Sequence, residues 1–226
     1  EIPEVEEAIT KSGDIWLLGE HRVLCGDATK KEDVALLMEG QKADMVFTDP
    51  PYGMRLDADY TSMNNSGKKY DNVIGDDEDF DPVFLMTLFD YCDEQFWWGA
   101  DYYIERIPDR NNGNLFLWDK RLKSNNDGDK SSEFELCWMK QKHAREIFDF
   151  NWFRYFGLHA QDKNKRFHPT QKPIQVAEHL FKYGSEGDIV VDTFLGSGST
   201  LIACEKTNRK CYGMEIDPHY CDVIVK

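Results

Sequence analysis

Several signatures are missing from this sequence. Its six cysteines (Cys25, Cys92, Cys137, Cys204, Cys211 and Cys221) include no Cys-x-x-Cys pair. Neither a zinc site nor a disulfide framework is therefore signalled; no metal site is expected, and reduced thiols in a cytoplasmic setting are the expected state. No long unbroken apolar run occurs, and the N-terminus lacks the basic-then-apolar pattern of a secretory signal, which argues against a membrane span or export. The first residue is Glu rather than Met, so the chain is expected to be a piece of something longer. No repeat or low-complexity tract is visible. Positive charge is also scarce. The chain has 27 Lys and Arg against 42 Asp and Glu, a net charge of −15. A nucleic-acid partner would therefore need a local basic surface rather than a global one.

The charge is uneven. Residues 71–94 hold nine acids and no Lys or Arg, whereas 141–175 hold seven bases against three acids. The second segment is the better candidate for a surface facing phosphate. A length of 226 residues suits one well-filled domain, here taken as 1–226, carrying at most a small insertion.

Periodicity supplies the elements. "DIWLLGEHRVLCGDA" reads as two short strands around Gly19-Glu20, and 31–38 suits a helix with Val34, Leu37 and Met38 on one face. "DMVFTDPPYG" is a buried strand stopped by Pro50. Residues 53–80 are rich in Asp, Asn, Ser and Gly and predict a long mobile loop. Beyond it, 81–92 has a helical period, while 94–100, 114–120 and 133–140 read as strands. The prolines of "HPTQKP" precede the helix "IQVAEHLFKY". "DIVVDTFLGSGSTLIACEKTNRKCYGMEID" then gives strand, glycine loop, helix, strand and acid. The alternation predicts an α/β fold with a doubly wound, mostly parallel sheet.

Two constellations carry chemistry. In "VVDTFLGSGST", Gly196 and Gly198 follow a strand and open a helix, so backbone N–H groups can approach a ligand closely. Glu215, after the next strand, is placed to accept hydrogen bonds from a ribose. No Lys follows the glycines, which excludes a P-loop. The loop by itself suits NAD and S-adenosylmethionine alike, or a tight turn with no ligand. The second constellation is "DPPY". An exocyclic amine on a base is a poor nucleophile because its lone pair is delocalised, and two acceptors gripping its hydrogens free that pair. The Asp49 carboxylate and the Pro50 carbonyl are two such acceptors, held by the stiff Pro50-Pro51 step. Tyr52 offers a flat face for a base turned out of its helix. Taken alone, Asp-Pro-Pro also suits a turn that ends a strand.

Quoted as they stand, "TDPPYG", "DTFLGSGST", "HPTQKP" and "YGMEID" resemble the motifs of the amino-group S-adenosylmethionine-dependent DNA methyltransferases. Their order resembles the permuted beta group, in which the catalytic tetrapeptide precedes the cofactor loop. The opening "WLLGEHRVLCGDA" is similar to that of many bacterial and phage members, and the motifs span about residues 14–217. The resemblance implies a Rossmann-like methyltransferase fold with a small target-recognition insertion. It implies that Asp49, Pro50, Pro51 and Tyr52 are catalytic, with Asp49 also bordering the cofactor. Phe194, Gly196, Ser197, Gly198 and Ser199 would surround the methionine moiety, Glu215 the ribose, Asp27 and Ala28 the adenine edge, and Ile216 its ring. His168 and Lys172 would reach the methionine end, the Lys ammonium suiting a carboxylate. Asp27 could instead cap the helix near Lys30, and His168 could only orient a turn.

The implied reaction is direct methyl transfer to adenine N6, with S-adenosylhomocysteine as product and no covalent enzyme intermediate. The cysteine used by ring-carbon methylases follows Pro, and no Pro-Cys occurs here. N4-cytosine, an RNA or a protein amide are alternative substrates; a non-catalytic nucleotide- or DNA-binding module is the alternative from another class. The implied partner is double-stranded DNA with a flipped base, and a homodimer is a possible assembly. Residues 141–167, where Arg145, Arg154, Lys163, Lys165 and Arg166 lie among Trp152, Phe153, Tyr155 and Phe156, form the candidate recognition segment. Restriction-modification and phage settings are both compatible with such an enzyme.

Overall fold

The computed structural model describes residues 8–53, 74, 80–120, 132–150 and 171–226. Most of the 53–80 loop, residues 151–167 of the recognition segment, and His168 lie outside the described residues. The first two apolar runs form a hairpin, β1 (Ile15–Leu18) and β2 (His21–Cys25), with Leu18 opposite His21. Its two-residue turn is led by Gly19 at φ +63°, a conformation open to glycine at no steric cost. Helix α1 (Lys31–Met38) buries Val34, Leu37 and Met38, the face given by the sequence period. Strand β3 (Met45–Thr48) is buried throughout and stops short of the prolines, which cannot donate to a ladder.

There follow α2 (Val83–Leu88), β4 (Glu94–Trp98), α3 (Ala100–Tyr103), β5 (Asn114–Asp119), β6 (Phe134–Met139) and β7 (Ile147–Asp149). The chain ends with α4 (Ile174–Leu180), β8 (Ile189–Asp192), α5 (Ser199–Lys206), β9 (Lys210–Glu215) and α6 (Pro218–Val225). Two sequence expectations need correction. The helix expected over 81–92 is confined to Val83–Leu88, because Pro82 sits at its N-cap and supplies no N–H to an earlier turn. The strand expected over 94–100 ends at Trp98; Gly99 takes φ +65° and turns the chain into α3.

The described strands form one sheet in the order β1-β2-β9-β8-β3-β4-β6-β5-β7. The five strands from β2 to β4 run parallel, while β1 and β6 pair antiparallel with their neighbours. The doubly wound, mostly parallel arrangement expected from the alternation is thus borne out, with antiparallel flanks. Side chains alternate between two cores. Met45, Phe47, Phe96, Trp98 and Val190 pack on one face of the sheet. Val46, Trp97, Val191 and Met214 pack on the other, with Leu37 of α1.

At the centre, β3 lies beside β8, with Met45 opposite Val190 and Val46 opposite Val191. The chain leaves β3 toward β4 and leaves β8 toward β9, so the winding reverses between these two strands. Loops at the carboxyl ends of such a pair diverge and open a crevice. The N-terminal segment is tied to the last helix. The Asp222 carboxylate accepts from the backbone N–H groups of Ile9 (2.6 Å) and Thr10 (3.1 Å) and from the Thr10 hydroxyl. No helix among the described residues is long and apolar enough to cross a membrane.

Candidate active site

The crevice where β3 and β8 end holds a cavity of about 440 Å³, a size usual for small-molecule sites. One wall is the glycine loop after β8. Gly196 has φ +55°, and its N–H donates to Oε2 of Glu215 at 2.8 Å. The other Glu215 oxygen accepts from the Asp217 N–H at 2.9 Å, so the acid that ends β9 braces the loop from beneath. Burial pushes the Glu215 carboxyl up to about 7, against the pull of those two N–H groups. Phe194, Ser197 and Ser199 also line the cavity, as do Asp27, Ala28 and Ile216 on the far side.

Gly198, expected in the same wall, is not among the lining residues. It caps α5 at φ +85°, and a Cβ there would meet Ile224 of α6 at 3.2 Å. Its role in the fold is close packing of the turn against the last helix. Asp27 does not cap α1 through its side chain, since the Lys30 N-cap makes no such bond. Instead its Oδ1 accepts from the N–H (2.9 Å) and hydroxyl (2.6 Å) of Thr29, a local turn that outweighs burial and keeps its carboxyl below the usual range.

The second wall carries the Asp49–Tyr52 stretch. Oδ2 of Asp49 accepts from the Lys172 ammonium at 2.5 Å, while Oδ1 is buried with no hydrogen-bond partner among the described residues. Burial pushes the Asp49 carboxyl up, Lys172 notwithstanding. Lys172 also stands 3.0 Å from Oε2 of Glu135 and 5.1 Å from the centre of the Trp98 ring. Its ammonium, which borders the cavity, therefore sits between two carboxylates of the protein, an arrangement the local motif does not reveal. The reason is long-range: Glu135 lies on β6, out of sight of the local motif.

Tyr52 is stacked on Tyr102 of α3, with ring centroids 4.6 Å apart and planes 15° apart. One of its faces is thus already covered. The ring also fills the space where a Cβ of Gly99 would stand, only 2.3 Å from the nearest ring carbon. Pro50 and Pro51 complete this wall.

Sequence reasoning missed several residues here. Asp192, at the end of β8, accepts from the Thr200 hydroxyl (2.6 Å), the Phe194 N–H (3.0 Å) and the Thr48 hydroxyl (3.2 Å). It thereby locks β3, β8 and α5 together, and burial raises its carboxyl to about 6. The acid was visible in "VVDTF" but gave no sign of its three partners. Phe80, Phe84 and Leu85 supply an apolar wall from the start of α2, and Phe80 meets Phe194 edge-on at 5.7 Å. The arrangement offers a braced loop, a pocket with apolar walls and acceptors at its rim, and a free buried carboxylate oxygen beside an aromatic ring.

Comparisons with known proteins agree with this reading of the fold. Residues 90–226 match the N6_N4_Mtase family model, described as DNA methylase. Type II methyltransferase M.HpaI of Haemophilus parainfluenzae is 26% identical over 234 residues, covering 90% of this chain and 73% of that protein. The orphan methyltransferase M.BamHII of Bacillus amyloliquefaciens is 37% identical over 101 residues, 43% of this chain and 37% of its own length. Among solved structures, the M1.HpyAVI–SAM complex superposes with a TM-score of 0.57 at 18% identity, covering 90% of this chain and 97% of the other. The cytosine-N4-specific PvuII DNA methyltransferase gives 0.55 at 15% identity, covering 92% and 87%. With its family model matching more than half of its length, the chain belongs to the N6_N4_Mtase family of DNA methylases.

Proposed function

We propose that the protein moves a methyl group from S-adenosylmethionine to the exocyclic N6 of adenine in double-stranded DNA, the target base being turned out of the helix. The reading rests on Oδ1 of Asp49, buried at the edge of the cavity and without a partner among the described residues. Buried acceptors are almost always satisfied, so an orphan of this kind beside an aromatic ring suits a donor brought by a ligand. When bound, the cofactor supplies an electrophilic methyl on a sulfonium, whose departure as a neutral thioether needs no protein nucleophile.

The residues present fit that group. Phe194 and Ile216 offer apolar walls for a flat ring, Asp27 and Glu215 offer acceptors, and the loop at Gly196–Ser199 offers close backbone approach. The methionine carboxylate falls to the N-terminus of α5, since Lys172 is engaged elsewhere. At the other end, Oδ1 of Asp49 accepts one amine hydrogen and the Pro50 carbonyl the other, which frees the nitrogen lone pair. Asp49 or water takes the proton released after transfer. The base stacks against Tyr52 in the place of the Tyr102 ring, which swings aside. Asp at position 49, rather than Ser, favours adenine over cytosine. The 141–167 segment supplies phosphate contacts; of its bases, Lys142 and Arg145 are described and lie at the surface.

Incubation of unmethylated duplex DNA with methyl-labelled cofactor, followed by mass spectrometry of the nucleosides, tests the reading. Label in N6-methyladenine is expected. Label solely in N4-methylcytosine overturns the adenine assignment, and calorimetric binding of NAD without S-adenosylmethionine overturns the cofactor.

A further inference from the structure

Behind Asp49 runs a chain of charges that the proposed chemistry does not require. Asp49 Oδ2 meets the Lys172 ammonium at 2.5 Å; that ammonium stands 3.0 Å from Oε2 of Glu135, and Oε1 of Glu135 accepts from Lys120 at 2.9 Å. The four groups alternate in sign and come from four places: the end of β3, the start of α4, β6, and the residue after β5. The β5–β6 ladder brings the outer two together. Trp118 lies opposite Glu135, and the Lys120 N–H bonds the Glu133 carbonyl, so Lys120 and Glu135 share a face two positions apart on neighbouring strands. Side-chain exposures of 14%, 27% and 9% for Lys120, Glu135 and Lys172 show that the chain is sheltered from water.

A Lys172–Asp49 pair would already be neutral. The added Glu135–Lys120 pair carries no net charge, and burying it costs desolvation that only good geometry repays. Its effect is directional. An ammonium has three donors and, left with one carboxylate, is free to straddle both oxygens. Here one donor goes to Oδ2 of Asp49; Oε2 of Glu135, 3.0 Å away, accepts no hydrogen bond from it and draws the ammonium by charge, while the Trp98 ring lies 5.1 Å off. We propose that Glu135, backed by Lys120, is a positioning residue of the methyl-transfer site: it draws Lys172 onto Oδ2 alone and so keeps Oδ1 of Asp49 open to the target amine. This rests on the reading of Asp49 as the amine-gripping carboxylate. Charges elsewhere bear on the same group. Asp192, Tyr52 and Tyr103 interact with Asp49 from β8, from its own loop and from α3. Although burial opposes it, the two ammoniums hold Glu135 down to about 2, so it is ionised throughout any assay range.

The test compares Glu135→Gln, Lys120→Met and Lys172→Met with wild type, using the full chain and checking each fold by circular dichroism. Methyl transfer to DNA is followed across pH, and S-adenosylmethionine affinity is measured by calorimetry. Glu135→Gln is expected to lower kcat by about tenfold or more, since electrostatic alignment at a reacting group commonly carries that weight. Glu135 does not line the cavity, so cofactor Kd should stay within about threefold, a change too small to report a lost contact. The acidic limb of the rate profile should move to lower pH in Glu135→Gln, which removes a negative charge near Asp49. It should move to higher pH in Lys172→Met and, less far, in Lys120→Met, which remove positive ones. A merely structural role would lower rates without moving the limb in opposite directions. Unchanged kcat in Glu135→Gln, or a limb that stays fixed in all three variants, overturns the inference. If Glu135→Gln does not fold, Lys120→Met decides by the same limb. A wild type that methylates no DNA, or an Asp49→Asn variant as fast as wild type, instead brings down the underlying reading of Asp49.

Discussion

Replacing Gly99 by alanine would perturb Tyr52 without touching any residue of the motif itself. A Cβ at position 99 would stand 2.3, 2.5 and 2.8 Å from three carbons of the Tyr52 ring, whereas ordinary contact begins near 3.4 Å. Relieving the closest approach moves the ring by about 1.1 Å, the difference of those two distances. Gly99 also sits at φ +65°, where an L side chain costs about 1 kcal/mol or somewhat more, and overpacking beside a stacked pair adds about 1–3 kcal/mol. Together these predict a destabilisation of about 3 kcal/mol, which for a chain of this size lowers Tm by roughly 6–12 °C. A displacement of about 1 Å at a group that positions substrate lowers kcat/KM by about a hundredfold. Calorimetric melting and labelled-methyl transfer read the two effects separately. Adding Tyr52→Ala should relieve the steric part of the Tm loss and leave the backbone part, so the two changes should be strongly non-additive. A Gly99→Ala variant that melts and reacts like wild type would refute the account of how Tyr52 is seated.

Other expectations follow from the same site. Asp49→Asn keeps the shape but loses the charge, and should lower kcat by about 10²–10³ while cofactor affinity, measured by calorimetry, changes little. With Glu215 pushed to about 7, its ionised form becomes the better acceptor as pH rises; cofactor affinity should climb between about pH 6 and 8 and flatten in Glu215→Gln. Asp192, raised to about 6, holds its proton more tightly in the folded chain than in the unfolded one. Stability should therefore be greatest below its ordinary carboxylate range and fall as pH rises toward 6. Asp192→Asn should flatten the dependence of Tm on pH over that interval.

The sequence was most informative where a signal is local. The runs "MVF" and "IVVD" became β3 and β8, and the period in 31–38 placed the buried face of α1 correctly. The glycine loop and the acid that braces it were visible because strand, turn and strand follow one another in the chain. What escaped depends on partners far apart in sequence. Lys172 reads locally as a free cation before a proline, yet its place is set by Asp49, 123 positions earlier, and by Glu135 on β6. Gly99 reads as part of an apolar run, although the nearby Tyr52 ring is what requires it to lack a side chain. Tyr102, half-exposed on α3, carries no motif at all and is recognisable only through its stack on Tyr52.

The knot at Asp222 bears on the order of the motifs. Because residues 9 and 10 are hydrogen-bonded to the last helix, and β2 lies directly beside β9, the described part of the chain comes close to a ring. Whether the strand leading to Asp49 or the strand leading to the glycine loop is translated first is then a matter of where that ring is cut. A circularly permuted version opened between α4 and β8 and rejoined across the knot would carry the same crevice, with its two halves written in the opposite order.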